Sequence, residues 1–144
     1  MMIRAIFFLS VLSASCISFA DSKIESSFDG DRALAHIYKQ VSFGPRTLDN
    51  PKAKAATLDF IGSYLEPLAT KLTVQPFSAN GLSGNNLWAS FINPKPHANQ
   101  RIMLGAHWDT RPISDQESDS SKQHLPTPGA NDGGSGVAVL LELA

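Results

Sequence analysis

The spacing of apolar positions divides the chain into successive blocks. Ala33, Leu34, Ile37 and Val41 recur every three to four residues, which predicts a helix with one apolar face. Asp29 or Asp31 would cap it, and Phe43-Gly44-Pro45-Arg46 would end it. Leu58, Ile61, Leu65 and Leu68 form a second stripe, with Asn50 as cap, Pro51 in the first turn and an end just before Pro67. Residues 72–77 and 87–92 read as short strands around the turn Asn80-Gly81-Leu82-Ser83-Gly84-Asn85-Asn86, with Leu72 and Val74 on one face. Asn93-Pro94-Lys95-Pro96 stops the second strand. Residues 101–106 contain the continuous apolar run Ile102-Met103-Leu104-Gly105-Ala106, as expected of a strand buried on both faces. A polar loop over 111–128 follows, long enough for a compact domain to suggest function. After Gly133-Gly134-Ser135-Gly136, residues Val137, Leu140, Leu141 and Ala144 return to helical spacing. The order helix, helix, strand, strand, strand, loop, helix predicts an α/β domain with a largely buried sheet.

The N-terminal end has a different character. Residues 1–20 read as a secretory signal: Arg4 is the positive region, 5–12 the apolar stretch, and Ser18-Phe19-Ala20 a small-x-small cleavage site. The apolar stretch is far shorter than the ~20 residues of a membrane span. A buried N-terminal strand is the alternative. Cys16 offers a second alternative, lipid anchoring, but Ser13-Ala14-Ser15 lacks the large aliphatic residue usual three positions upstream. The expectation is one domain over 21–144, secreted or periplasmic after cleavage near Ala20. Cleavage removes the only cysteine, so no disulfide is expected and any metal must be held by His, Asp or Glu. The last apolar stripe carries no capping signal, so the chain is expected to be truncated at its C-terminus.

At 144 residues and 42% apolar, the chain can build one core and is short for two domains. A formal net charge of -1 provides no concentrated basic surface for nucleic acid. Function must come from a local site.

Two short motifs carry candidate chemistry. His107-Trp108-Asp109 lies at the C-terminal end of the predicted buried strand, where open α/β sheets collect ligands. Residues two apart in an extended segment share a side, so the imidazole and the Asp109 carboxylate face the same way. A metal-binding histidine commonly donates its other ring N–H to a carboxylate, which suits Asp109 as the orienting partner of His107. The second motif is Pro128-Gly129-Ala130-Asn131-Asp132-Gly133-Gly134-Ser135-Gly136. Its glycines let the Asp132 carboxylate enter a crowded site, while the plain alternative has Asn131 or Asp132 capping the next helix. His36 is expected at the boundary of the first helix's apolar stripe, His97 exposed, and His124 in the long loop. Tyr38, Tyr64 and Trp88 fit packing positions.

Together these motifs resemble the zinc aminopeptidase and glutaminyl cyclase superfamily. The likeness runs through Leu104-Gly105-Ala106-His107-Trp108-Asp109-Thr110-Arg111-Pro112 and Pro128-Gly129-Ala130-Asn131-Asp132-Gly133-Gly134-Ser135-Gly136-Val137-Ala138. It extends back through Asn93-Pro94, Asn86-Leu87 and Phe43-Gly44-Pro45-Arg46, covering roughly residues 34–144. The resemblance implies a three-layer α/β sandwich with a mostly parallel (mixed) buried sheet flanked by helices. It makes His107 and Asp132 zinc ligands, with Asp132 bridging two zincs or binding the only one, and places Asp109 behind His107. The superfamily's adjacent glutamates, a later aspartate and a late histidine would lie beyond Ala144. Glu142 comes too early to be the catalytic glutamate and is expected to face solvent. A chain with two metal contacts should bind zinc weakly and turn over nothing.

Two chemistries fit the resemblance. A two-zinc aminopeptidase hydrolyses peptide N-termini with activated water and a glutamate base. A one-zinc cyclase converts N-terminal glutamine to pyroglutamate and releases ammonia. Trp108 between the His and the Asp, and the stretch from Asn93-Pro94 through His107-Trp108-Asp109-Thr110-Arg111-Pro112, look more like cyclases, including secreted bacterial ones. Both Trp108 and Arg111 are therefore candidate substrate contacts, against the alternatives of packing for Trp108 and solvation for Arg111. The expected partners are peptide N-termini, with no nucleic acid and no membrane span. An inert secreted binding module that keeps the frame is the reading from another class.

Overall fold

The computed structural model describes residues 27–92 and 101–144. The proposed signal, Cys16, Asn93-Pro94 and His97 lie outside the described residues.

Helix α1, Gly30–Ser42, starts where Asp29 accepts hydrogen bonds from the amides of Asp31 and Arg32. These are donors that the first helical turn leaves without partners. Its inward face differs from the predicted one. Ala33, His36 and Gln40 are buried, while Leu34 stays exposed. His36 is thus a core residue, packed edge-on against Tyr64, because α1 lies against residues 130–143 and not on a sheet. Helix α2, Pro51–Leu65, has Asn50 as its cap, accepting from the Ala53 amide at 3.2 Å, and ends before Pro67 as expected. Its buried stripe is Ala53, Thr57, Ile61 and Leu65; Leu68 lies past the helix and is exposed.

Strands β1, Lys71–Ala79, and β2, Leu82–Ser90, form an antiparallel hairpin. Both are longer than predicted, because the turn is only Asn80-Gly81. These two residues take positive φ, 53° and 78°, as a two-residue hairpin turn requires, so the ladder runs on to Ala79 opposite Leu82. Helix α3, Gly136–Leu143, packs with α2 around Ile61, Leu65, Val137 and Leu141. Leu72, Leu87, Ala89, Ala106 and Trp108 close over this core from the hairpin side.

The mixed helix-and-sheet class agrees with the sequence. The sheet of the described residues is the two-stranded hairpin. Residues 101–106, expected to be a strand covered on both faces, run without ladder assignment, and Ile102, Met103 and Leu104 are 85%, 78% and 61% exposed. The physical reason is local. Burial of such a run needs strands on either side of it and helices above and below. Among the described residues it pairs with no strand; Leu104 shares a shallow apolar recess with Val139, Leu140 and Leu143 of α3, and Ala106 reaches the core.

Glu142 also departs from expectation. It does not face solvent but reaches back to α1, accepting from Arg32 Nε at 2.6 Å and from the Asp29 amide at 2.9 Å. This paired guanidinium holds the Glu142 carboxyl down to about 2 and raises the pKa of Arg32.

Candidate metal site

The site forms where the extended segment 107–110 meets the glycine-rich turn before α3. Alternation along the segment sends His107 and Asp109 to one side and Trp108 to the other. The indole of Trp108 packs on the core and donates to the carbonyl of Asn85 on β2 at 3.2 Å. It is therefore turned away from His107, and packing accounts for it. Across the gap, residues Ala130–Ser135 form a tight irregular turn that departs from helical geometry at Asp132 and Gly133. Gly133 has φ 86°, and a β-carbon there would sit 3.0 Å from both the ring and the carbonyl oxygen of His107. Only glycine allows the turn to approach this closely.

That approach decides where Asp132 points. Its Oδ1 lies 3.0 Å from His107 Nε2. The other ring nitrogen, Nδ1, is 3.3 Å from Asp109 Oδ1 and 3.2 Å from the Asp109 carbonyl. Both ring nitrogens face acceptors, and the tautomer that donates from Nδ1 satisfies the two on the Asp109 side. In neutral imidazole this leaves a lone pair on Nε2 facing the Asp132 carboxylate. Two acceptors then meet, an arrangement that a shared proton or cation satisfies. All three side chains are open to solvent: His107 is 56% exposed, Asp109 71% and Asp132 46%.

The donor set suits zinc. Imidazole nitrogen and carboxylate oxygen bind it at about 2.0–2.2 Å, so two such atoms 3.0 Å apart can reach one ion. Asp132 does not cap α3; the N-cap position is Ser135, which makes no side-chain capping bond and instead donates to the Asn131 carbonyl at 2.7 Å. Among the described residues, no group of three or more His, Cys, Asp or Glu side chains is arranged to hold a metal ion.

The remaining candidates sit elsewhere. Arg111 pairs with Asp115 at 2.6 Å inside the long loop. The loop is closed on itself by bonds from Thr127 N to the Arg111 carbonyl and from Ser114 N to the Gln123 carbonyl. Arg111 is thus a loop-internal partner in this structure, and His124 is exposed on the same loop. Sequence reasoning missed Arg46, which it took for a helix terminator. It is fully buried at 0% exposure. Its Nε donates to the Trp108 carbonyl at 2.8 Å, Nη1 to Pro128 at 3.1 Å and Nη2 to Gly129 at 2.7 Å. Burial lowers its pKa, and the carboxylates of Asp109 and Asp132 oppose that shift. The available signal was an arginine fixed one residue past a Gly-Pro break, within the stretch that shares the family likeness.

Residues 86–144, which contain His107, Asp109 and Asp132, match peptidase family M28. This segment belongs to that family. Glutaminyl cyclases and zinc-dependent exopeptidases are among the structural relatives, as the sequence resemblance indicated. The Bacteroides thetaiotaomicron glutaminyl cyclase solved with N-acetylhistamine is 40% identical, with a TM-score of 0.70, over 81% of this chain and 40% of that one. A Zn-dependent exopeptidase from Parabacteroides distasonis is also 40% identical, with a TM-score of 0.69 and the same coverage. The Escherichia coli K12 protein YfbL is 34% identical over 100 residues, which is 69% of this chain and 28% of YfbL. The chain thus spans well under half the length of these relatives. The family implies zinc, and no helix among its described residues is long and apolar enough to cross a membrane.

Proposed function

We propose that this sequence is the N-terminal part of a zinc-dependent glutaminyl cyclase, which converts N-terminal glutamine of peptides to pyroglutamate and ammonia. The observation that carries the reading is the facing of His107 Nε2 and Asp132 Oδ1 at 3.0 Å with Asp109 behind the imidazole. The 40% identity to the Bacteroides cyclase fits this branch, and the equal identity to the Parabacteroides exopeptidase fits the second reading below.

His107 and Asp132 would hold the metal, which when bound supplies a Lewis acid toward the amide carbonyl of the substrate glutamine. Asp109 accepts from Nδ1, fixing the tautomer that leaves Nε2 free to bind. The nucleophile belongs to the substrate: its α-amine attacks the side-chain amide carbon, the amide C–N bond breaks, and the proton lost by the amine leaves with ammonia. Such an intramolecular attack gains an effective molarity that can reach ~10⁵ M or more.

Catalytic zinc takes three protein ligands and structural zinc four. The proposal therefore includes ligands from outside the described residues, and a three-layer mixed sheet in which 101–106 is an inner strand. It places the protein in the periplasm or outside the cell after removal of residues 1–20, with lipid anchoring at Cys16 as the alternative. A polypeptide confined to these 144 residues should bind zinc weakly and show no turnover.

A two-zinc aminopeptidase is the second reading, favoured by the M28 match and the Parabacteroides exopeptidase. Incubating the whole protein that carries this sequence with a glutamine-initiated peptide separates the two. Ammonia release without shortening, at one zinc per chain, supports the cyclase; release of a free N-terminal residue, at two zincs, supports the aminopeptidase. Neither product would overturn both.

A further inference from the structure

We propose that Arg46 is the positioning residue of the His107–Asp132 pair: one buried guanidinium gathers carbonyls from the two segments that carry these side chains and thereby sets the spacing between them. The proposal rests on reading His107 and Asp132 as a metal-binding pair.

The connection is direct. Nε bonds the Trp108 carbonyl, between His107 and Asp109, while Nη1 and Nη2 bond the Pro128 and Gly129 carbonyls, at the entry to the turn that bears Asp132. The main chain of the same residue adds a fourth tie, the Thr110 amide donating to the Arg46 carbonyl at 3.3 Å. No ladder holds segment 101–110 among the described residues; these bonds tie its end to the turn, while the Trp108 indole ties it to β2. Gln40 on α1 supports the far side of the turn by donating to the Gly134 carbonyl at 3.1 Å, but its bonds do not reach the His107 segment. Among the described residues, Arg46 is the side chain that bonds both segments.

The residue type is specific to the task. A guanidinium offers donors in a rigid plane and can bond three divergent carbonyls at once, whereas an ammonium is a point charge on a flexible stem. The packing around it leaves no slack, since a β-carbon on Gly129 would lie 2.7 Å from Nη2. The charge also fits the location. All three side-chain bonds go to neutral carbonyls, and a cation buried without a directly bonded carboxylate is costly. Its nearest compensation comes through space from Asp109 and Asp132.

Cobalt(II) binding to the wild-type protein and to Arg46→Lys, followed by visible absorption and by far-ultraviolet circular dichroism during urea unfolding, tests the role. The expected result for Arg46→Lys is about a tenfold or greater loss of cobalt affinity, the scale typical of outer-sphere partners. The absorption bands of its saturated complex should also change in shape. A merely structural role would lower amplitude with the folded fraction and leave band shape intact, and that result overturns the proposal, as does wild-type affinity. Should Arg46→Lys fail to fold, Arg46→Ala titrated with low concentrations of free guanidinium provides the second arm. Recovery of the wild-type cobalt bands supports the proposal; a chain that stays unfolded overturns it, because Arg46 then serves the fold itself. Asp132→Ala is the control for the underlying reading: if it keeps wild-type cobalt binding, the metal pair falls whatever Arg46 does.

Discussion

Asp132 is aimed by backbone geometry before any side chain acts on it. The turn reverses at Gly133, whose φ of 86° no side-chain-bearing residue adopts without strain, and the approach to His107 leaves no space for a β-carbon. Gly133→Ala should therefore destabilise the fold by about 1–3 kcal/mol and weaken zinc binding together, as measured by urea unfolding and zinc competition. Asp132→Ala should abolish zinc retention with little loss of stability, since the side chain is about half exposed and supports no helix cap. In the whole protein, the same change should remove activity. His107→Ala should be severe for a two-zinc enzyme and milder for a one-zinc cyclase, which kcat/KM on a peptide substrate would distinguish. Alternation and glycine placement, both local signals, made His107, Asp109 and Asp132 candidates, and the family resemblance joined His107 to Asp132. Arg46 was not legible this way, since its partners are carbonyls 62 to 83 residues away and nothing in local sequence reports where carbonyls converge.

At the scale of elements, the caps and turns explain what could be read. Asp29, Asn50-Pro51 and Asn80-Gly81 act within four residues of themselves, and each is used as its chemistry indicates. Asp29→Ala should cost about 1 kcal/mol in thermal or urea unfolding, the usual loss for a helix cap. The apolar run at 101–106 is the opposite case, because burial of a strand is a property of its neighbours and among the described residues this run pairs with none. Glu142 provides a test by pH. Its carboxyl titrates near 4.5 when unfolded and at about 2 when paired with Arg32. The pairing therefore stabilises fully above about pH 4.5, and that contribution is lost as pH falls toward 2. Glu142→Gln should flatten the pH dependence of stability in that window and leave its slope near neutrality unchanged, a small effect because Arg32 is half exposed.

For the molecule as a whole, α1, the irregular turn and α3 form the floor beneath the site, while the hairpin and α2 form the side that receives Trp108. Metal binding should therefore register globally. Zinc should raise the unfolding midpoint of the wild type in proportion to the logarithm of its concentration and leave Asp132→Ala unmoved. A chelator should reverse the shift.

The bond from Arg32 to Glu142 closes a loop of 110 residues between the first turn of α1 and the last turn of α3. Fraying at one helix end deprives the other of its partner, so the two ends should open as one cooperative unit. Deuterium uptake at the amides of Arg32 and Glu142 should then proceed at matched rates, and Glu142→Gln should quicken both.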